Sequence, residues 1–123
     1  MIVDASAVLA LLSDAKSEPA FRNAVLVAPD LIIAETLNVC WKLARANHRV
    51  PERSVILSVL DTIQIEPSRP YAPRAAQIAG EIDHPVYDCL YLALAESRGD
   101  LLLTWDERFK RKLSRTAFTR HLL

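Results

Sequence analysis

Glycine is scarce in this sequence, and its scarcity excludes two large classes of nucleotide-binding site. Only Gly80 and Gly99 occur among the 123 residues. A Walker loop and a dinucleotide-binding GxGxxG turn each need several glycines within a few residues of one another. The chain therefore carries neither of these phosphate-binding loops.

Cysteine is equally rare, and the chain has no long apolar run. Cys40 and Cys89 lie far apart and form no CxxC pair, which is typical of reduced thiols in a cytoplasmic protein. The apolar N-terminal stretch lacks a basic leader and is interrupted by Asp4, so it does not predict a secretion signal. No segment approaches the roughly 20 apolar residues of a membrane span. We therefore expect a cytoplasmic protein without a membrane partner.

Net charge gives no indication of a partner, because 15 basic residues balance 15 acidic ones. The distribution is less even, since the segment 108–120 contains basic residues and no acid. The basic residues there are Arg108, Lys110, Arg111, Lys112, Arg115 and Arg120. Such a cluster fits either a polyanionic partner or a solvated helix face, and the sequence leaves both open.

Signatures of nucleophilic and zinc catalysis are also missing. There is no GxSxG elbow for a serine nucleophile. The histidines His48, His84 and His121 do not have the HExxH spacing of a zinc protease. His84 precedes Pro85, a setting more typical of a loop residue than of a ligand. We therefore expect neither a nucleophilic side chain nor zinc catalysis.

What the sequence does contain is a regular alternation of short apolar runs and helical segments. Short strands are predicted at 1–4, 24–28, 64–68 and 101–104, and a small last strand near 117–123. Helices are predicted at 5–14, 30–48, 51–63, 73–82, 88–99 and 106–113. This alternation predicts one α/β domain over residues 1–123, with a four- to five-stranded, mostly parallel sheet covered by helices on both faces.

Two of these helices carry further predictions. In the segment 30–48, four apolar residues have the spacing of a stripe that faces the core, namely Ile33, Leu37, Cys40 and Ala44. Glu35 falls roughly opposite that stripe, so by this pattern it is a solvated glutamate. The segment 88–99 is apolar nearly all round, so we expect a buried helix that ends at Gly99.

Four acidic residues stand near the predicted ends of strands and beginnings of helices. They are Asp4 after the first strand, Glu35 in the second helix, Asp88 at the start of the apolar helix and Asp106 after the last LLLT strand. In open α/β sheets the functional crevice lies at the carboxyl ends of the strands. Aspartate is also a favoured helix N-cap, and Thr104 and Glu107 have the spacing of a capping box. Each aspartate by itself therefore has a structural explanation.

Taken together, the acids have a second explanation as a cation site. Aspartates at the ends of neighbouring strands lie close together, and like charges in contact raise each other's pKa or recruit a cation. No lysine or histidine stands beside these acids in the sequence to neutralise them. An all-oxygen set suits Mg²⁺ or Mn²⁺, and Mg²⁺ pairs naturally with substrate phosphate. Such an ion activates water and stabilises the charge that develops on a phosphodiester.

Three stretches of the chain resemble the PIN-domain ribonucleases, and among them the VapC-like toxins of type II toxin–antitoxin pairs. The stretches are MIVDASAVLALL, PDLIIAETLN and YDCLYLALAESRGDLLLTWDERF. The third is the most specific, because a YDxxYLALA helix leads through a glycine turn into LLT-x-D. The resemblance implies a three-layer α/β/α sandwich around a parallel sheet. It also implies an Mg²⁺- or Mn²⁺-dependent endoribonuclease that hydrolyses RNA with metal-activated water.

The resemblance assigns roles to individual positions. Four acids match the catalytic positions of the family: Asp4, Glu35, Asp88 and Asp106. Of these, the three aspartates are expected to bind the metal, and Glu35 completes the site. Ser6 and Thr104 match supporting hydroxyl positions, and Asn38 shares a helix face with Glu35 as a further supporting candidate. From the basic cluster, three residues are expected to hold flanking RNA phosphates: Arg108, Lys110 and Arg111.

The resemblance also implies partners. They are an RNA substrate, a cognate antitoxin that holds the toxin inactive, and a second copy of the chain in a homodimer. Two features depart from the family pattern, since Trp105 replaces a smaller or polar residue and the tail beyond Leu113 lacks a clear strand. The alternative function is a non-catalytic interaction module in which the acids are helix caps. An effect of Mg²⁺ or Mn²⁺ on the melting temperature would favour the nuclease, and no effect would favour the interaction module.

Overall fold

Strands and helices alternate along the part of the chain that the computed structural model describes, residues 1–13, 21 and 23–123. The strands in this part are β1 (Ile2–Val3), β2 (Val27–Pro29), β3 (Gln64–Glu66) and β4 (Leu102–Leu103). The α-helices are α1 (Ala5–Leu12), α2 (Leu31–Arg45), α3 (Arg53–Leu60), α4 (Ala72–Ile82), α5 (Val86–Arg98) and α6 (Glu107–Leu113). Short 3-10 helices cover Arg69–Tyr71 and Ala117–His121. In these residues no helix is long and apolar enough to cross a membrane.

The four strands form one parallel sheet in the order β3-β2-β1-β4. Ile2 of β1 pairs with Val27 on one side and with Leu102 on the other. Parallel neighbours need crossover connections, and helices supply them here. The predicted α/β class, a three-layer α/β/α sandwich around a parallel sheet, is confirmed.

The core forms around α5, which contacts α4, β1, β2 and β4. Its buried residues are Cys89, Tyr91, Leu92, Ala93, Leu94 and Ala95, as the all-round apolar pattern predicts. Gly99 ends the helix in the left-handed conformation with φ of 61°, which glycine adopts without the Cβ penalty. The adjoining strand residues Ile2, Val3 and Leu102 are also fully or almost fully buried. The short strands therefore sit in a dry interior and hold their ends in fixed positions.

The C-terminal segment differs from the small strand expected near 117–123. Ala117–His121 is a 3-10 helix, whose start is capped by the Thr116 hydroxyl accepting from Phe118 N at 3.2 Å. Only afterwards does Leu122 form a single parallel bridge with Leu102. The local cap and the burial of Phe118 favour a turn, so the tail covers the edge of β4 without becoming a fifth strand.

The buried face of α2 also differs from the prediction. Its buried residues are Ile32, Thr36 and Cys40. Ile33 is 40% exposed, and Leu37 is only half-buried. Cys40 belongs to the predicted stripe, but packing against the rest of the fold buries Ile32 and Thr36 in place of Ile33 and Leu37. The helix is therefore rotated so that Glu35 lies at the edge of the buried face instead of opposite it.

Several helices begin or end a few residues away from their predicted boundaries. The apolar helix begins at Val86, so Asp88 lies inside its first turn and does not open it. The helix predicted at 51–63 is shorter, since Pro51 and Glu52 precede its first residue, Arg53. The first helix ends at Leu12, and Asp14, the last residue of its predicted range, lies outside the described residues.

Candidate active site

Acidic side chains from four separate segments line one pocket at the carboxyl edge of the sheet. The pocket has a volume of about 350 Å³, and its acidic lining residues are Asp4, Glu35, Asp88 and Asp106. Asp4 directly follows β1, and Asp106 follows β4, the strand paired with β1. Since the carboxyl ends of parallel strands meet at one edge, the topology itself gathers these side chains.

Asp4 is buried, with 8% of its surface exposed. Its Oδ1 accepts hydrogen bonds from Ser6 Oγ at 2.6 Å and from Ala7 N at 3.0 Å, and its Oδ2 accepts from the Thr104 hydroxyl. Burial raises the pKa of Asp4, although these three hydrogen bonds act in the opposite direction. Asp4 therefore caps α1 and lines the pocket at the same time, so the two explanations of this residue are compatible.

Two hydroxyls tie the loop after β4 to the end of β1. Trp105 N donates to Ser6 Oγ at 2.7 Å, and Asp106 N donates to Thr104 Oγ1 at 3.0 Å. The capping box expected at Thr104 is wrong, because Asp106 is the cap of α6 and accepts from Phe109 N at 3.0 Å. The first turn of α6 thus holds Asp106 Oδ1 in place, whereas the Thr104 hydroxyl donates to Asp4.

Glu35 is held by a tyrosine that sequence reasoning overlooked. The hydroxyl of Tyr91, a residue only 1% exposed, donates to Glu35 Oε2 at 3.2 Å. Glu35 Oε1 is buried and finds no hydrogen-bond partner among the described residues. Burial, followed by the negative charge of Asp88, raises the pKa of Glu35 to about 7. The available signal was the spacing in YDxxY, which places Asp88 and Tyr91 on one side of α5.

Asp88 has a histidine neighbour, contrary to expectation. His84 lies in the turn between α4 and α5, as its position before Pro85 predicts, but its ring is buried and its Nε2 lies 2.6 Å from Asp88 Oδ2. Asp88 is not a helix cap, since Pro85 occupies that position and makes no side-chain capping bond. Burial raises the pKa of Asp88, the hydrogen bond from His84 opposes the rise, and the negative charge of Asp106 adds to it. The i,i+4 spacing of His84 and Asp88 was the signal that could have shown this pair.

The remaining predicted site residues lie outside the lining of the acidic pocket. Asn38 is exposed and is not among the residues that line the pocket. Arg108 and Arg111 line a separate groove of about 690 Å³. Lys110 is not among the lining residues of that groove and forms an ion pair with Glu107 at 3.5 Å. The structure therefore divides the predicted phosphate-binding residues into two groups.

The donor set of the pocket fits a hard divalent cation by its chemistry. Each acidic side chain there offers carboxylate oxygens. Among the described residues, Glu35 Oε1 is a buried acceptor that receives no hydrogen bond. Within the described ranges, no three His, Cys, Asp or Glu side chains form a ready-made metal cluster. The acids thus surround the pocket without converging on one point. Mg²⁺ tolerates such an arrangement, because it takes one or two carboxylates directly and keeps several waters.

Comparison with known proteins identifies the fold family. Residues 1–113 match the sequence model of the PIN domain. This chain belongs to the PIN domain family. Its structure is similar to the crystal structure of PAE2754 from Pyrobaculum aerophilum, with 31% sequence identity, a TM-score of 0.73, and coverage of 90% of this chain and 77% of that one. No curated protein matches the sequence.

Membership in the PIN domain family gives the pocket a chemical context. PIN domains are generally nucleases that use divalent metals and act on RNA or other nucleic acids. The family therefore indicates hydrolase activity on nucleic acids. An acidic pocket at the carboxyl edge of the sheet agrees with that activity, since metal-assisted hydrolysis of a phosphodiester needs oxygen ligands.

Proposed function

We propose that this PIN domain is an Mg²⁺- or Mn²⁺-dependent endoribonuclease that serves as the toxin of a cytoplasmic toxin–antitoxin pair. The whole chain, residues 1–123, is proposed to act as one domain. The observation that carries the enzymatic part is the single pocket lined by four carboxylates from four elements. Two of them, Glu35 and Asp88, cap no helix and so have no structural explanation of that kind.

Each acid has a distinct part in the proposed reaction. A bound divalent ion supplies Lewis acidity to a water and to a phosphodiester oxygen. The three aspartates Asp4, Asp88 and Asp106 would bind the ion directly or through its water ligands, and the hydrogen bonds of Asp4 fix its carboxylate in one orientation. Glu35, whose Oε1 is buried and has no hydrogen-bond partner among the described residues, would complete the set of oxygen ligands around the ion.

The proposed RNA contacts centre on the groove beside α6. The groove is lined by four basic side chains, Arg108, Arg111, Lys112 and Arg115, and by two acidic ones, Glu81 and Asp83. Arginine side chains bind phosphate oxygens through paired N–H groups, so the groove suits the backbone of an RNA strand. Lys110, already paired with Glu107, is the weaker member of the predicted set. Replacement of Arg111 by alanine should therefore weaken RNA binding and its salt dependence more than Lys110→Ala does.

The test of the enzymatic proposal is cleavage of RNA by purified protein with Mn²⁺, with Mg²⁺ and with EDTA. The variants Asp4→Asn, Asp88→Asn and Asp106→Asn should each lose cleavage. Asp61→Asn is the matched control, because Asp61 is exposed at the end of α3. Equal cleavage by wild type and Asp4→Asn, or cleavage that persists in EDTA, would refute the metal site.

A toxin role requires protein partners, and the surface of α2 and α3 suits them. Trp41 is 56% exposed, and Ile33, Val55 and Leu57 are exposed as well. Clusters of large exposed apolar side chains are typical of interaction surfaces. Induced expression should arrest growth, and coexpression of the small protein encoded beside this gene should restore it. Light scattering of the purified chain tests the proposed homodimer.

The non-catalytic interaction module remains a second candidate because two of the acids do cap helices. Asp4 caps α1, and Asp106 caps α6. A module of this kind would cleave no RNA, and millimolar Mn²⁺ would leave its melting temperature unchanged. The nuclease should instead be stabilised by Mn²⁺, because an ion that binds only the folded state raises its stability.

A further inference from the structure

His84 is fixed from several sides just before α5 begins. Its side chain is 3% exposed, and its ring stacks on that of the buried Phe109 with centroids 4.7 Å apart. Its backbone N donates to Ala79 O at 3.2 Å, directly after Asp83 turns the chain with φ of 53°. The imidazole therefore has a position set by α4, α6 and the turn between α4 and α5.

The two nitrogens of this ring have different surroundings. Nε2 lies 2.6 Å from Asp88 Oδ2, whereas Nδ1 is buried with no partner in the described part of the chain. A carboxylate only accepts hydrogen bonds, so Nε2 carries the proton that bonds to Asp88. A buried N–H without an acceptor is costly, which favours Nδ1 as a bare lone pair. The surroundings thus select the tautomer with its proton on Nε2.

We infer that His84 is a positioning residue for Asp88, a role that rests on the proposed nuclease function. His84 occupies Oδ2 of Asp88, and this leaves Oδ1 as the oxygen available for a metal ion. Carboxylate ligands are commonly oriented by such outer hydrogen bonds, and losing one typically costs about 10- to 100-fold in metal affinity or activity. Free rotation of Asp88 would otherwise spread its charge over several orientations, because its side chain is partly exposed.

The experiment compares two substitutions in the full chain. His84→Gln keeps an N–H donor on a side chain of similar reach, whereas His84→Leu fills similar space without a donor. The dissociation constant for Mn²⁺ is measured by titration calorimetry, and kcat and KM are measured on RNA. His84→Leu should weaken Mn²⁺ binding about 10- to 100-fold and lower kcat while KM for RNA is unchanged, and His84→Gln should recover most of both. His48→Leu is the control, since His48 is exposed on the surface.

A second measurement uses the unmodified protein and needs neither a variant nor a metal. Long-range proton–nitrogen correlation spectra report which imidazole nitrogen of His84 carries hydrogen. A proton on Nε2 supports the role, and a proton on Nδ1 alone overturns it, because Nε2 could then not donate to Asp88.

The possible outcomes separate this role from the enzymatic proposal. If wild type binds Mn²⁺ and cleaves RNA while His84→Leu does so equally well, His84 is only a packing residue and the nuclease proposal stands. Equal losses in His84→Leu and His84→Gln would likewise assign His84 to packing against Phe109. If wild type neither binds Mn²⁺ nor cleaves RNA, the nuclease proposal fails and the positioning role falls with it.

Discussion

Replacement of Glu35 by glutamine should make the metal-free protein more stable at neutral and alkaline pH. Burial and the charge of Asp88 raise the pKa of Glu35 from its ordinary 4.5 to about 7. The folded chain therefore binds more protons than the unfolded chain between these values. Stability conferred by the protonated Glu35 is consequently lost as pH rises through that window. Glutamine is uncharged and still accepts a hydrogen bond from Tyr91, so it avoids this loss.

The size of the effect follows from the pKa of Glu35. A rise from 4.5 to about 7 corresponds to at most about 3.4 kcal/mol, at about 1.36 kcal/mol for each pKa unit. Glu35 is only half-buried, and solvent screening reduces the difference to about 1–2 kcal/mol. At about pH 5 the expected gain is much smaller, because the folded carboxyl is then still protonated.

The assay is urea unfolding of wild type and Glu35→Gln in EDTA at about pH 5 and about pH 8. Glu52→Gln serves as the control, since Glu52 is exposed and makes no side-chain cap to α3. The gain should appear at the higher pH and should fall when Mn²⁺ is added, because the ion favours the charged form of the pocket. A variant no more stable than wild type at pH 8, or equally stabilised at both pH values, would refute the electrostatic explanation.

Three other substitutions test the support of the pocket and of the core. Thr104→Val removes the donor to Asp4 and the acceptor of Asp106 N, so it should cost about 1–3 kcal/mol by urea unfolding and slow RNA cleavage. Leu92→Ala should lower the free energy of unfolding by about 2–5 kcal/mol, because Leu92 is fully buried in α5. A smaller loss would show that neighbouring side chains move in to fill the cavity. Gly99→Ala should cost about 1 kcal/mol in melting experiments, since a Cβ there meets no atom within 4 Å and only the positive φ is unfavourable.

The sequence by itself determined the fold class and the set of acids. Hydrophobic periodicity is a property of neighbouring residues, so the alternation of strands and helices was readable before any packing was known. The same pattern placed Asp4 and Asp106 after strands that turn out to be adjacent in the sheet. Glycine at position 99 likewise identified the end of α5, because the left-handed cap is a local backbone requirement.

Only the tertiary structure decided how the helices are rotated and which side chains meet. The apolar pattern of α2 favoured a face with Ile33 and Leu37, but packing against the other elements buries Ile32 and Thr36 and places Glu35 at the pocket. Tyr91 reaches Glu35 across 56 residues of chain, a contact that depends on where α5 and α2 lie in the fold. His84 is brought near Asp88 by local i,i+4 spacing, but the burial of its ring depends on Phe109 of α6, against which it stacks. Such long-range contacts depend on the packing of whole elements, which local periodicity does not determine.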